Sequence, residues 1–238
     1  MTVRSPGGSP RQRLGHVAAA LWYGLWKESL RALCRVAFRL RIEGRENEPQ
    51  TGPFVAAVNH VSAIDPILAG ISLRRRAAYM AKAELLEVPV IGPWVASVGT
   101  FPVRRGEPDR KALRLAFGIL ERGGVLVMFP EGTRSPDGRL QAPEPGVALI
   151  ALRMGVPVLP VAIVGTHRVL PKGTRWPKFV PVRIRFGPPL AVPRVEGRLD
   201  HQTLEAWGHR IMGEIGKLLP PDQGGTWNEN PRAATSAR

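Results

Sequence analysis

Residues 54–73 read FVAAVNHVSAIDPILAGISL. Phe54 to Val58 is an unbroken apolar run of strand length, which fits a strand buried on both faces. A polar turn, Asn59-His60-Val61-Ser62, follows it, and Ala63 to Leu73 then takes helical spacing. A buried strand handing over to a helix is the repeating unit of a layered α/β domain. The same alternation extends in both directions. Ala77 to Ala81, Phe101 to Val103, Val125 to Phe129 and Pro157 to Val164 read as further strands, and Pro108 to Arg122, Pro145 to Met154 and His201 to Leu219 as helices. Leu40 to Glu43 and Val182 to Phe186 alternate apolar with charged residues, as half-exposed strands near sheet edges do. The expected fold is a layered αβα domain around a central mixed sheet, preceded by an amphipathic N-terminal helix.

The ends differ in composition from this middle. Residues 1–13 are rich in Pro, Gly, Ser and Arg and offer nothing to bury, so they read as a flexible basic tail. Residues 14–39 form the amphipathic helix and 40–219 the catalytic-sized domain. From Pro220 onward Pro, Gly, Asn and Arg return, and 220–238 reads as a disordered tail. The single cysteine, Cys34, excludes an intrachain disulfide and favours a reducing compartment.

With 34 Lys and Arg against 19 Asp and Glu, the chain carries a formal net charge of +15, so its partner is anionic. Nucleic acid and an anionic lipid surface both satisfy that. The helix bears on the choice. Ala18, Trp22, Leu25, Trp26, Leu30, Leu33, Val36, Ala37 and Leu40 fall on one side of a helical wheel, and Lys27, Arg31, Arg35 and Arg39 recur every four residues on the other. Its uninterrupted apolar run, Val17 to Trp26, is shorter than the roughly 20 residues a span needs. It reads as an interfacial helix, with Trp and Leu in the headgroup region and the cations against anionic lipid. The plainer alternative is a surface helix packed on the core.

Three clusters can carry chemistry. In Asn59 to Pro66, His60 and Asp65 stand five apart across a strand-to-helix turn. A carboxylate there can fix the imidazole tautomer and leave the other ring nitrogen to take a proton from a hydroxyl. The alternative is a helix-capping Asp beside a satisfied His. In Gly99 to Arg105, a short strand delivers Arg104 and Arg105 together, a plausible bidentate phosphate clamp or else a solvated basic turn. Phe129 to Ser135 follows the most hydrophobic strand, where α/β folds place ligands, and offers a carboxylate, a glycine, hydroxyls and another arginine.

Taken in order, these clusters resemble the motifs of the glycerolipid acyltransferase family. Asn59 to Asp65 resembles its NHxSxxD motif, Gly99 to Arg104 its GxxFIxR motif, Phe129 to Ser135 its FPEGTRS motif and Val156 to Val161 its VPVxPV motif. The likeness covers roughly residues 40 to 190 and is strongest to members that acylate lysophosphatidic acid. Pro102, preceding Val103 in the second motif, departs from the family pattern. The resemblance implies His60 as general base, Asp65 as its orienting partner, Arg104 as phosphate ligand, and Glu131, Gly132, Thr133 and Arg134 as acceptor-binding residues. Lys82 and Arg105 join the phosphate-binding candidates on charge and position.

The implied reaction moves a fatty acyl group from acyl-CoA or acyl carrier protein to the sn-2 hydroxyl of 1-acylglycerol-3-phosphate, giving phosphatidic acid. Neither a metal nor another cofactor is expected, because no metal-ligand cluster, P-loop or dinucleotide fingerprint occurs. The expected location is the cytoplasmic face of a membrane, peripheral or shallowly embedded, with an anionic membrane surface and no nucleic acid as partner. Two alternatives remain: transfer to another acceptor, glycerol-3-phosphate or a different lysolipid, and a non-catalytic basic module binding membrane or nucleic acid.

Overall fold

Strands that are apolar on both faces have to be covered twice, and the computed structural model has that architecture. It describes residues 10–82, 100–103, 110–169, 177–224 and 227. Among these residues seven strands form one sheet: β1 (Arg41–Glu43), β2 (Phe54–Val58), β3 (Ala77–Lys82), β4 (Thr100–Val103), β5 (Val125–Met128), β6 (Val158–Val164) and β7 (Arg183–Phe186). Their order is β1-β7-β6-β2-β5-β3-β4. The five strands from β6 to β4 run parallel, whereas β7 is antiparallel to β6 and pairs in parallel with β1. The sheet is therefore mixed, and the half-polar β1 and β7 lie together at one side.

Two apolar layers sandwich this sheet. Phe54, Ala56, Val58, Val125, Val127, Leu159, Val161 and Ile163 point to one face, where Cys34 of α1 (Pro10–Ala37) and Leu68, Ala69 and Ile71 of α2 (Asp65–Ser72) cover them. Val55, Ala57, Leu126, Met128, Val158 and Ala162 point to the other. There α3 (Arg110–Glu121), α4 (Gly146–Met154) and α6 (His201–Gly216) supply Ala116, Leu120, Ile150, Ile211 and Ile215. Alternation with period two on a doubly covered sheet is what the all-apolar central strands require. A short helix, α5 (Thr166–Val169), follows β6.

The connections decide where a ligand can enter. From β2 the chain crosses by α2 to β3, on the β4 side. From β5 it crosses by α4 to β6, on the β1 side and over the opposite face. The neighbouring strands β2 and β5 thus send their carboxyl ends apart, and such a switch point opens a crevice.

Helix α1 corrects one expectation. Its cationic stripe does not face outward as a whole. Lys27 and Arg31 are buried, while Trp22, Leu25, Leu33 and Val36 are 71%, 65%, 62% and 82% exposed. Arg31 Nε donates to the Ile71 carbonyl at 2.6 Å, and Lys27 Nζ to that of Arg74 at 3.3 Å. The last carbonyls of a helix lack intrahelical partners and carry its negative pole, so the end of α2 draws Arg31 inward, and the turn just after it takes Lys27. Arg35 and Arg39 remain exposed.

The two ends differ from expectation as well. The helix already begins at Pro10, inside the stretch read as a basic tail. At the other end, the stretch read as disordered from 220 opens with a 3-10 turn, Pro221–Gln223. Gln223 is buried, and Trp227 stacks on His209 with centroids 5.9 Å apart. Apolar packing of one tryptophan outweighs the local Pro and Gly composition.

Candidate active site

The site grows from the carboxyl ends of β2 and β5, side by side in the sheet. Where the backbone ladder of β2 ends, Asn59 continues it with its side chain, bonding both the N–H and the carbonyl of Ile163. His60 comes next, with its Nδ1 3.0 Å from Oδ2 of Asp65, the first residue of α2. Asp65 is fully buried. The same Oδ2 accepts from the N–H groups of Val61 at 2.7 Å and Ser62 at 2.6 Å. Its carboxylate therefore points back into the turn rather than capping α2 ahead of it, so the helix-cap alternative does not describe it. A carboxylate can only accept here, so Nδ1 carries the ring proton and Nε2 keeps its lone pair.

The β5 loop closes over this turn. Phe129 stacks on the imidazole with centroids 4.2 Å apart. The His60 N–H donates to Oε1 of Glu131 at 2.8 Å, and the His60 carbonyl accepts from the Ser135 N–H at 2.8 Å. Oε2 of Glu131 accepts from the N–H and Nε2 of Gln141 at 3.1 and 3.3 Å. Burial pushes the Glu131 carboxyl up to about 7; the bonds from His60 and Gln141 oppose that shift, and the nearby charge of Asp65 adds to it. Gly132 has φ +65°, and a Cβ there would lie 2.7 Å from Cγ of Glu144, so the turn needs glycine on both counts. Thr133 and Arg134 are exposed beside it, and Ser135 Oγ ties the following turn by accepting from the Gly138 N–H at 3.0 Å.

His60, Asp65 and Glu131 are thus brought together, and Gly132, Thr133 and Arg134 lie on the same loop. Lys82 ends β3, one strand beyond β5 and at the same edge of the sheet. Arg104 and Arg105 lie outside the described residues. Val156 to Val161, the fourth motif, enters β6 and packs into the core beside β2. Among the described residues no cluster of His, Cys, Asp or Glu is arranged to hold a metal ion.

Sequence reasoning gave no role to Phe129 or Gln141 and counted Ser135 only among the hydroxyls of its cluster. Phe129 and Ser135 bound the third cluster, so they were in view. What was missing was the adjacency of β2 and β5, which turns neighbours of one strand into walls for a histidine on the other.

The profile of the Acyltransferase family matches residues 39–164, more than half of the chain. A chloroplastic 1-acyl-sn-glycerol-3-phosphate acyltransferase of Arabidopsis thaliana is 32% identical over 167 residues, 69% of this chain and 45% of that protein. A 1-acyl-sn-glycerol-3-phosphate acyltransferase of Pseudomonas aeruginosa is 30% identical over 194 residues, 76% of this chain and 71% of that one. The chain spans about half the length of three of the plant relatives it matches. Among solved structures, the 1-acyl-sn-glycerophosphate acyltransferase PlsC of Thermotoga maritima superimposes with a TM-score of 0.58 at 33% identity, covering 72% of this chain and 68% of that one.

Proposed function

Because the chain belongs to the acyltransferase family, we propose that it acylates the sn-2 hydroxyl of 1-acylglycerol-3-phosphate, using acyl-CoA or acyl carrier protein as donor and His60 as general base. The observation that carries this reading is the Nδ1 contact of His60 with Asp65, which leaves Nε2 free to take a proton. Nε2 removes the hydroxyl proton as the oxygen attacks the thioester carbonyl carbon. Asp65 stabilises the imidazolium as it forms. When the tetrahedral intermediate collapses, the C–S bond breaks and the imidazolium returns its proton to the departing sulfur. No acyl-enzyme is required, because the acceptor hydroxyl takes the place of a nucleophilic serine.

Thr133 and Arg134, exposed on the loop beside His60, suit the acceptor's phosphate and glycerol groups, with Gly132 giving the backbone close approach. Lys82, Arg104 and Arg105 complete the proposed phosphate set from β3 and the segment after β4. The two relatives named for the same acceptor support its choice. The test is thiol release by the full-length chain with 1-acylglycerol-3-phosphate, glycerol-3-phosphate and a neutral lysolipid, each against acyl-CoA and acyl carrier protein. Phosphatidic acid formed with one thiol released is the expected result. Preference for glycerol-3-phosphate would move the assignment to that acceptor, and no release with any phosphate-bearing acceptor would overturn it.

A peripheral membrane contact belongs to the same reading. No helix among the described residues is long and apolar enough to cross a membrane. The outward face of α1 presents Trp22, Leu25, Leu33 and Val36, and exposed Phe179 lies 6.0 Å from Phe38 just beyond the helix. Arg35, Arg39 and Lys178 are exposed near these residues in sequence, an arrangement suited to an anionic leaflet.

A further inference from the structure

We infer that Glu131 is a positioning residue, which acts on the reaction by holding the backbone of His60 rather than by binding the acceptor. The inference rests on His60 being the general base. The β2–β5 pairing ends at Ala57 and Met128. Beyond it, among the described residues, the β5 loop bonds the backbone of His60 at two points: Oε1 of Glu131 takes the His60 N–H, and the Ser135 N–H gives to the His60 carbonyl. Both backbone polar groups of the proposed base are thus held from one loop. Removing either tie leaves one backbone group of His60 without its partner on the loop.

The carboxylate has little left to offer a substrate. Glu131 is 3% exposed, and its second oxygen is occupied by the N–H and Nε2 of Gln141. A buried group that already receives three N–H donors, two of them at one oxygen, has exchanged its hydration for protein contacts. With three of its roughly four acceptor positions filled and the group buried, an acceptor hydroxyl has little of it left to reach. Thr133 and Arg134, by contrast, are exposed on the same loop. Gln141 lies ten residues further on, so Glu131 fastens the base to both limbs of the β5 loop.

The test compares Glu131→Gln with His60→Ala and the double variant in the full-length chain, with kcat, both KM values and the thermal midpoint measured for each. Glutamine keeps one acceptor oxygen but puts an amide NH2 opposite an N–H donor, so one side of the brace is lost. The expected result is a kcat lowered about tenfold or more, with both KM values changed less than about threefold, and no added loss when Glu131→Gln is placed on His60→Ala. Glu131→Asp, which keeps the charge but shortens the reach, should fall between wild type and Glu131→Gln. If Glu131→Gln does not fold, acceptor binding to folded Glu131→Asp decides: unchanged affinity supports positioning. An acceptor KM or Kd raised tenfold with kcat intact would make Glu131 a substrate ligand and overturn the inference. Normal turnover by His60→Ala would instead overturn the general-base reading, so the two failures are distinct.

Discussion

The side-chain amide of Asn59 pairs in both directions with the backbone of Ile163: Nδ2 donates to its carbonyl at 3.0 Å, and Oδ1 accepts from its N–H at 2.7 Å. Asn59 is buried, so this false ladder step fixes where β2 ends and His60 begins. Asn59→Leu would leave both Ile163 groups buried without partners. Each such group costs roughly 1–3 kcal/mol, so a loss of about 2 kcal/mol or more in urea unfolding is expected, together with a fall in kcat. Asn59→Asp keeps the acceptor and loses the donor, and should be intermediate near neutral pH. Equal stability of all three proteins would show that the amide does not set the register.

Asp65→Asn should separate charge from shape. Oδ2 receives three donors while Oδ1 is buried without a partner, so an asparagine can present its oxygen to the same three groups. The fold should hold, but an uncharged partner supports the imidazolium poorly. A kcat lowered about 10²-fold or more is expected, with a loss of similar size or larger in His60→Ala. Turnover within a few-fold of wild type in folded Asp65→Asn would remove Asp65 from the mechanism.

The legibility of the chain follows from how far apart the deciding contacts lie. Phe54 to Val58 and Val125 to Met128 announce buried strands because both faces of the sheet are covered, and the αβα layering follows from the alternation of strands and helices, whereas the antiparallel β7 does not. His60 and Asp65 are legible as a pair because one turn holds them both. Glu131 is visible as a charged residue after a strand, yet its bond to His60 spans 71 positions and depends on β5 lying beside β2. Strand order is a global property that no local period encodes. The face of α1 is illegible for a similar reason: its wheel separates cations from apolar groups, but the carbonyl end of α2 decides which side turns inward.

Glu131 also gives stability a pH signature. Its carboxyl is raised from 4.5 to about 7 by burial. Below pH 4.5 folded and unfolded chains both hold the proton, and this group contributes nothing. Between 4.5 and 7 the folded state keeps a proton that the unfolded state has lost, so stability falls as pH rises through that window and then levels. The shift corresponds to on the order of 3 kcal/mol. Urea unfolding of wild type and Glu131→Gln at several pH values from 4 to 8 should show the decline in wild type only. Parallel curves would mean that another group titrates.

Arg31→Met tests the docking of α1. The guanidinium bonds the carbonyls of Ile71 and Leu73 at the end of α2, whose first residue is Asp65. Losing it should cost about 1–3 kcal/mol of stability. A helix docked in this way is part of the fold, so deletion of residues 1–40 would unsettle the domain and is a poor probe of membrane contact. Unchanged unfolding of Arg31→Met would show that α1 docks without this guanidinium.

The membrane contact is better tested on the outward face of α1, where charge and apolar area can be set against each other. With Lys27 and Arg31 turned inward, only Arg35 and Arg39 of the stripe remain to meet lipid. At about 1 kcal/mol per cation near an anionic leaflet, they supply roughly 2 kcal/mol at low salt. Trp22, Leu25, Leu33 and Val36 are each more than three-fifths exposed. Burying one such side chain fully is worth about 1.5–3 kcal/mol, so even partial insertion of four outweighs the two arginines. Binding should therefore persist in high salt and on neutral vesicles, though more weakly than on anionic ones. The double variant Leu25→Asp/Leu33→Asp should lose most co-sedimentation under every condition, because both residues are solvent-exposed and their replacement leaves the core packing untouched. Arg35→Gln/Arg39→Gln should lose only the salt-sensitive part. If instead the arginine pair abolished binding and the leucine pair left it whole, the contact would be electrostatic and the apolar face of α1 would not enter the bilayer.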